Sequence, residues 1–176
     1  MDSKIALAVL ILILALVNWS IAGKEKHLAE GSIVYLELAP VDPRSLIQGD
    51  YMALRFRDAS DIHNALLKVK QGARRHTDVN ASDGYAIFKL DKKSIGSFKS
   101  IYDEQTLAED EILMFFRVRN GKVKFASNAF FFQEGHAKVY QSARYGQFRA
   151  DSNGELLLVA MYDKDLKLLG EEAEVH

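Results

Sequence analysis

Glu111-Ile112-Leu113-Met114-Phe115-Phe116-Arg117-Val118-Arg119-Asn120-Gly121-Lys122-Val123-Lys124-Phe125 reads as two β-strands folded back on each other. Asn-Gly is the preferred pair for a two-residue type I′ turn, because both turn positions need positive φ. The turn fixes the register. Arg119 stands opposite Lys122, Val118 opposite Val123, Arg117 opposite Lys124 and Phe116 opposite Phe125, so apolar pairs alternate with basic pairs. Strands are predicted over residues 111–119 and 122–132. Arg117, Arg119, Lys122 and Lys124 form a basic face whose opposed like charges cost roughly a few tenths of a kcal/mol per pair. Solvent and nearby acids can offset that, as can anionic lipid headgroups or acidic loops of a membrane partner.

Outward from the hairpin the pattern remains that of a sheet. Residues 32–38 alternate, with Val34, Leu36 and Leu38 on one face and Ile33, Tyr35 and Glu37 on the other. Strands over 84–90 and 95–102 flank Asp91-Lys92-Lys93-Ser94, and Asp151-Ser152-Asn153-Gly154 turns the chain into a last strand over 155–162. Between them Asp58 or Ser60 can cap a helix in which Ile62, Ala65, Leu66 and Val69 recur at helical spacing, ending near Gly72. A second helix is expected over 136–145. The fold class is therefore α+β, mainly antiparallel β with two short helical insertions.

The N-terminus is different in kind. Residues 5–23 carry no charge, and nineteen helical residues rise about 28 Å, enough for a hydrocarbon layer of about 30 Å. Ser20-Ile21-Ala22 before Gly23 also offers the small residues of a signal-peptidase site, so cleavage after Ala22 stands as the alternative. Trp19 suits the outer interface of an uncleaved anchor, which is the reading adopted. The partition is an anchor over 1–23, a juxtamembrane linker over 24–30, one β-rich domain over 31–170 and an acidic tail over 171–176. No Pro/Gly/Ser-rich linker divides the domain, and 48% hydrophobic composition supports a packed core.

A net charge of −1 speaks against nucleic acid as a partner. With no cysteine, the domain is held by its apolar core without disulfides. His27, His63, His76, His136 and His176 show neither i,i+4 pairing nor a close acidic cluster, so no metal ligand set is recognisable, no cofactor is expected, and the histidines read as solvated. Glu109-Asp110-Glu111 reads as a solubilising run. The outer face of the first helix, with His63, Asn64, Lys68, Gln71, Arg74 and Arg75, reads as solvated or as a second partner surface.

The remaining motif is Pro40-Val41-Asp42-Pro43-Arg44-Ser45-Leu46-Ile47-Gln48-Gly49-Asp50-Tyr51-Met52-Ala53-Leu54-Arg55-Phe56, which holds both prolines. Two prolines bracket an extended turn, and Gly49-Asp50 delivers the chain into a strand with Met52, Leu54 and Phe56 on one side. Asp42, Arg44, Asp50 and Tyr51 are the candidate partner-binding residues, set against a purely structural corner. This segment resembles the motif of the GDYXXLXY-domain proteins, small bacterial membrane-anchored proteins. Phe132-Gln133-Glu134-Gly135, Tyr140, Ala143-Arg144-Tyr145-Gly146, Arg149 and Asn153-Gly154 follow in the order of that family's C-terminal half. The last motif position is Phe56 and not Tyr, which removes a hydroxyl there.

The resemblance brings no catalytic residues. It implies a single-pass inner-membrane anchor, a periplasmic C-terminal domain, and an accessory or assembly role beside a multi-spanning membrane protein, with the lipid bilayer as the other partner. The alternative is an envelope hydrolase using Asp50 or Ser45 near the proline turn. A lysine base for Ser45 would have to come from Lys89, Lys92 or Lys93, and nothing in the sequence brings them together.

Overall fold

In the computed structural model of this chain, residues 3–39, 47–48, 51–72, 81–127 and 129–170 are described. A 28-residue helix, α1 (Ser3–Glu30), leads into the domain. Its apolar side chains are exposed along the whole stretch, and it is long and apolar enough to cross a membrane. The linker assigned to 24–30 is helical, so α1 runs without a break to the first strand.

The domain is built on an eight-stranded sheet. Its strands are β1 (Ser32–Glu37), β4 (Ala81–Leu90), β5 (Ile95–Ile101), β6 (Glu111–Arg119), β7 (Lys122–Lys124), β9 (Tyr145–Ala150), β10 (Leu156–Tyr162) and β11 (Leu168–Leu169), in the order β11-β10-β9-β1-β5-β4-β6-β7. A second sheet holds β2 (Ile47–Gln48), β3 (Tyr51–Ala53) and β8 (Ala129–Phe131), in the order β2-β3-β8. All described pairs are antiparallel except β1 with β5, where Tyr35 faces Ile95 and Leu36 faces Gly96. The helix α2 (Ala59–Gly72) packs against β5 and β7.

Alternation along the strands decides which face is dry. Val34, Leu36 and Leu38 are buried, as are Met52, Leu54 and Phe56 on the stretch that pairs back to Leu38 through an isolated bridge. Phe125 sits at the centre, 5.6 Å from the Phe56 ring and 5.8 Å from Phe88, both edge-to-face. Phe56 also meets Phe148 at 5.5 Å. A tyrosine at position 56 would carry its hydroxyl into this aromatic core, where each buried polar group needs a partner.

The predicted hairpin is present in its predicted register, and Asn120 (φ 53) and Gly121 (φ 69) both take the left-handed conformation. Two expectations are corrected. The strand over 122–132 is two strands, because Phe125 plugs the core and the chain then breaks at Ala126 and Ser127. The Ser127 hydroxyl donates to the Ala129 carbonyl (2.5 Å) and accepts the Ala129 N–H (3.2 Å), turning the chain so that β8 pairs with β3. The helix over 136–145 shrinks to one 3-10 turn, Val139–Ser142. There the Tyr140 ring is packed between Phe130 (5.1 Å) and Phe132 (5.0 Å), while Arg144 donates its N–H to Tyr162 and accepts from Leu38, so the sheet takes the chain before a longer helix can form.

Candidate functional site

Where α1 meets the sheet, three hydrogen bonds close a ring of contacts. The Gly31 N–H donates to the His27 carbonyl (2.9 Å), His27 Nε2 donates to the Arg149 carbonyl (2.9 Å), and Arg149 Nη1 donates to the Gly31 carbonyl (2.9 Å). Ser32 then pairs with Ala150 and starts β1. A Cβ on Gly31 would stand 2.6 Å from the His27 carbonyl oxygen and 3.0 Å from Arg149 Cβ, so the approach requires glycine. The clasp joins the end of α1 to β9, the antiparallel neighbour of β1.

Beside the clasp lies an open cleft of about 560 Å³. One wall is α1, through Gly23, Lys26, His27 and Glu30, and the other is formed by Leu107 and the start of β6. Gly31, Ser32, Ala150, Asp151 and Ser152 complete it. Glu111 of β6 is held from both sides, by an ion pair with Lys99 and by the Ala108 N–H (3.1 Å), and these contacts keep its carboxyl below the usual range. Asp110 of the same acidic run pairs with Lys89 at 3.2 Å, so the run is partly neutralised.

The basic face lies at the other end of β6. From Glu111 to Arg119 the strand advances about 26 Å, which puts the Asn120-Gly121 turn far along the sheet from α1. Asp83 of β4 offsets its repulsion. Arg119 reaches Asp83 with both guanidinium nitrogens, at 2.5 and 3.1 Å, and Asp83 stands opposite Arg117 in the register. The Arg119 hydrogen bond draws the Asp83 carboxyl below its ordinary pKa and raises that of Arg119. Lys122 and Lys124 form no ion pair among the described residues.

Of the motif residues, Asp42, Arg44 and Asp50 lie outside the described residues, as does Ser45. Tyr51 opens β3, and its ring lies 5.9 Å from Phe131 across the pair. Phe131 is 74% exposed, a large apolar side chain turned outward from a sheet edge. Tyr51 is thus brought beside an aromatic that sequence reasoning did not single out.

Two further polar groups are placed by the fold. Asp58, at the start of α2, is 8% exposed and accepts the Phe98 N–H of β5 at 3.0 Å, so its side chain ties the helix to the sheet. Burial raises its carboxyl pKa. Gln147 bridges two tyrosines, donating to Tyr35 Oη (3.3 Å) and accepting from Tyr162 Oη (3.3 Å). No group of His, Asp and Glu able to hold a metal ion occurs among the described residues. His27, expected to be solvated, is half-buried in the clasp.

The fold and its junction define an α+β protein, mainly antiparallel, carried on a candidate single-pass anchor. The model of the GDYXXLXY protein family matches residues 13–161, and the chain belongs to that family. No curated protein and no solved structure matches it.

Proposed function

We propose that this protein is a membrane-anchored, non-catalytic accessory of the bacterial envelope, whose periplasmic domain binds a multi-spanning protein of the inner membrane. The observation that carries the reading is the clasp between α1 and β9. A helix that continues from the bilayer into the sheet without a break, locked by Gly31, His27 and Arg149, holds the domain at a set height and angle. That suits presentation of a binding surface to a neighbour in the same membrane. The Tyr51 and Phe131 pair supplies an aromatic contact of the kind enriched at interface centres. The hydrolase alternative rests on Ser45 and Asp50, outside the described residues.

The test is affinity purification in mild detergent of the full-length chain, a form lacking residues 1–23 and the Phe131→Ser variant, with mass spectrometry of co-purifying proteins. Recovery of one multi-spanning protein in near-equal amount with the full-length chain, reduced by Phe131→Ser, supports the reading. Full-length protein recovered alone and monomeric contradicts it.

A further inference from the structure

The cleft beside α1 lies where a bilayer that contains residues 5–23 presents its headgroups. Gly23 marks the end of the apolar stretch, Lys26 stands about 4.5 Å above it along the helix axis and Glu30 about 10 Å above it. The headgroup region occupies roughly 5–7 Å on each side of the hydrocarbon core, so the Lys26 backbone stands within it and that of Glu30 about 3–5 Å beyond it, with the side chain tilted back along α1 toward the bilayer. Along α1 the cleft is therefore graded with depth, apolar at Gly23, cationic at Lys26 and acidic at Glu30; Leu107, Leu113 and Asp151 line it as well, as does Glu111, whose carboxylate is already held by Lys99 and the Ala108 N–H. A zwitterionic phospholipid has the same order, from acyl chain through phosphate to ammonium.

The upper part of the cleft favours a cation with hydrogens to give. Asp151 Oδ1 is taken by the Asn153 and Glu155 N–H groups, while Oδ2, among the described residues, meets only Asn153 Nδ2, at 3.5 Å. Glu30 has a loose 3.8 Å contact with Lys26. The negative end of the α1 dipole points the same way. We infer that the cleft seats one phospholipid with a primary-amine headgroup, of the phosphatidylethanolamine type: its phosphate faces Lys26, its ammonium donates to Glu30 and Asp151, and its chains follow Leu107 and the exposed side of α1. Phosphatidylcholine has the same phosphate but no N–H donor, and phosphatidylglycerol has no cation. The inference rests on α1 crossing the bilayer and is independent of the accessory reading.

The site can be blocked without disturbing the fold, because a Cβ on Gly23 meets no atom within 4 Å. Gly23→Phe places a ring in the mouth of the cleft. The full-length chain is released from micelles holding equal amounts of the three lipids, and native mass spectrometry counts what it retains. The expected result is one phosphatidylethanolamine per chain, preferred over phosphatidylcholine by about tenfold, as expected for a charge-assisted hydrogen bond gained. Gly23→Phe should abolish that preference with circular dichroism unchanged, and Glu30→Lys should move it toward phosphatidylglycerol. Equal retention of the lipids, no retained lipid, preference for phosphatidylglycerol by the unaltered chain, or a preference that survives Gly23→Phe overturns the inference. So does a co-purifying protein that Gly23→Phe displaces while no lipid preference is seen.

Discussion

Gly31→Ala and Gly23→Ala make the same chemical change eight positions apart and should act in opposite directions. At Gly31 the new Cβ would lie 2.6 Å from a backbone oxygen, that of His27, closer than such atoms approach, and 3.0 Å from Arg149 Cβ. The neighbour is backbone, so the junction itself must open. Three hydrogen bonds meet there, each worth about 0.5–1.5 kcal/mol net, and their weakening predicts a loss of about 2–3 kcal/mol. At Gly23 the Cβ meets nothing, and exchanging Gly for Ala in a helix gains up to about 1 kcal/mol. Thermal unfolding of the full-length chain in detergent, followed by near-ultraviolet circular dichroism of the tyrosines, reports the domain. For a chain of this size the predicted loss corresponds to a melting temperature lower by about 6–10 °C for Gly31→Ala, with no decrease for Gly23→Ala. Gly31→Ala melting within about 2 °C of the unaltered protein would refute the claim that the clasp contributes to stability.

Gly170→Ala should also destabilise, by about 2–3 kcal/mol, because its φ is +80 and its Cβ would run into the Tyr140 ring, itself packed between Phe130 and Phe132; urea unfolding measures the change. Asp58 predicts a pH effect with a definite sign. Its folded carboxyl titrates above its unfolded value, so the folded state binds the proton first, and the Asp58 contribution to stability grows as pH falls through the raised pKa and is complete below about 3.9. Urea unfolding of the unaltered chain and Asp58→Asn between pH 7 and 4 should show their difference moving in favour of the unaltered chain as the pH falls; a constant difference refutes this. Asp83→Asn should lower the melting temperature by less than Gly31→Ala, and the effect should shrink with added salt, since Asp83 and Arg119 are both about half exposed.

The parts of the fold legible in the sequence are those fixed by neighbours along the chain. Asn120-Gly121 determines its own turn, and the turn then determines three cross-strand pairs. The alternation of Val34, Leu36 and Leu38 identified the buried face without naming the partner strands, which lie more than fifty residues away. Nonlocal pairing accounts for the differences. Tyr140 and Arg144 are held by Phe130, Phe132 and Tyr162, and that hold shortened the expected helix. Asp58 carried a capping signal, yet its carboxylate serves β5 through Phe98. The clasp was hidden for the same reason, since His27 and Arg149 are 122 positions apart. Of the four motif residues singled out, only Tyr51 falls among the described residues, and its neighbour Phe131 became visible only when β8 paired with β3.

The proposed role requires α1 and the domain to move as one rigid piece, and the absence of cysteine makes this directly measurable. Nitroxide labels on Leu16→Cys, in the span, and Lys92→Cys, on the exposed turn after β4, give an interspin distance distribution by double electron-electron resonance in lipid nanodiscs. A single narrow distribution that broadens on adding Gly31→Ala is the predicted result. A broad distribution in the unaltered background would show that the domain swings freely on its anchor, and would contradict the account.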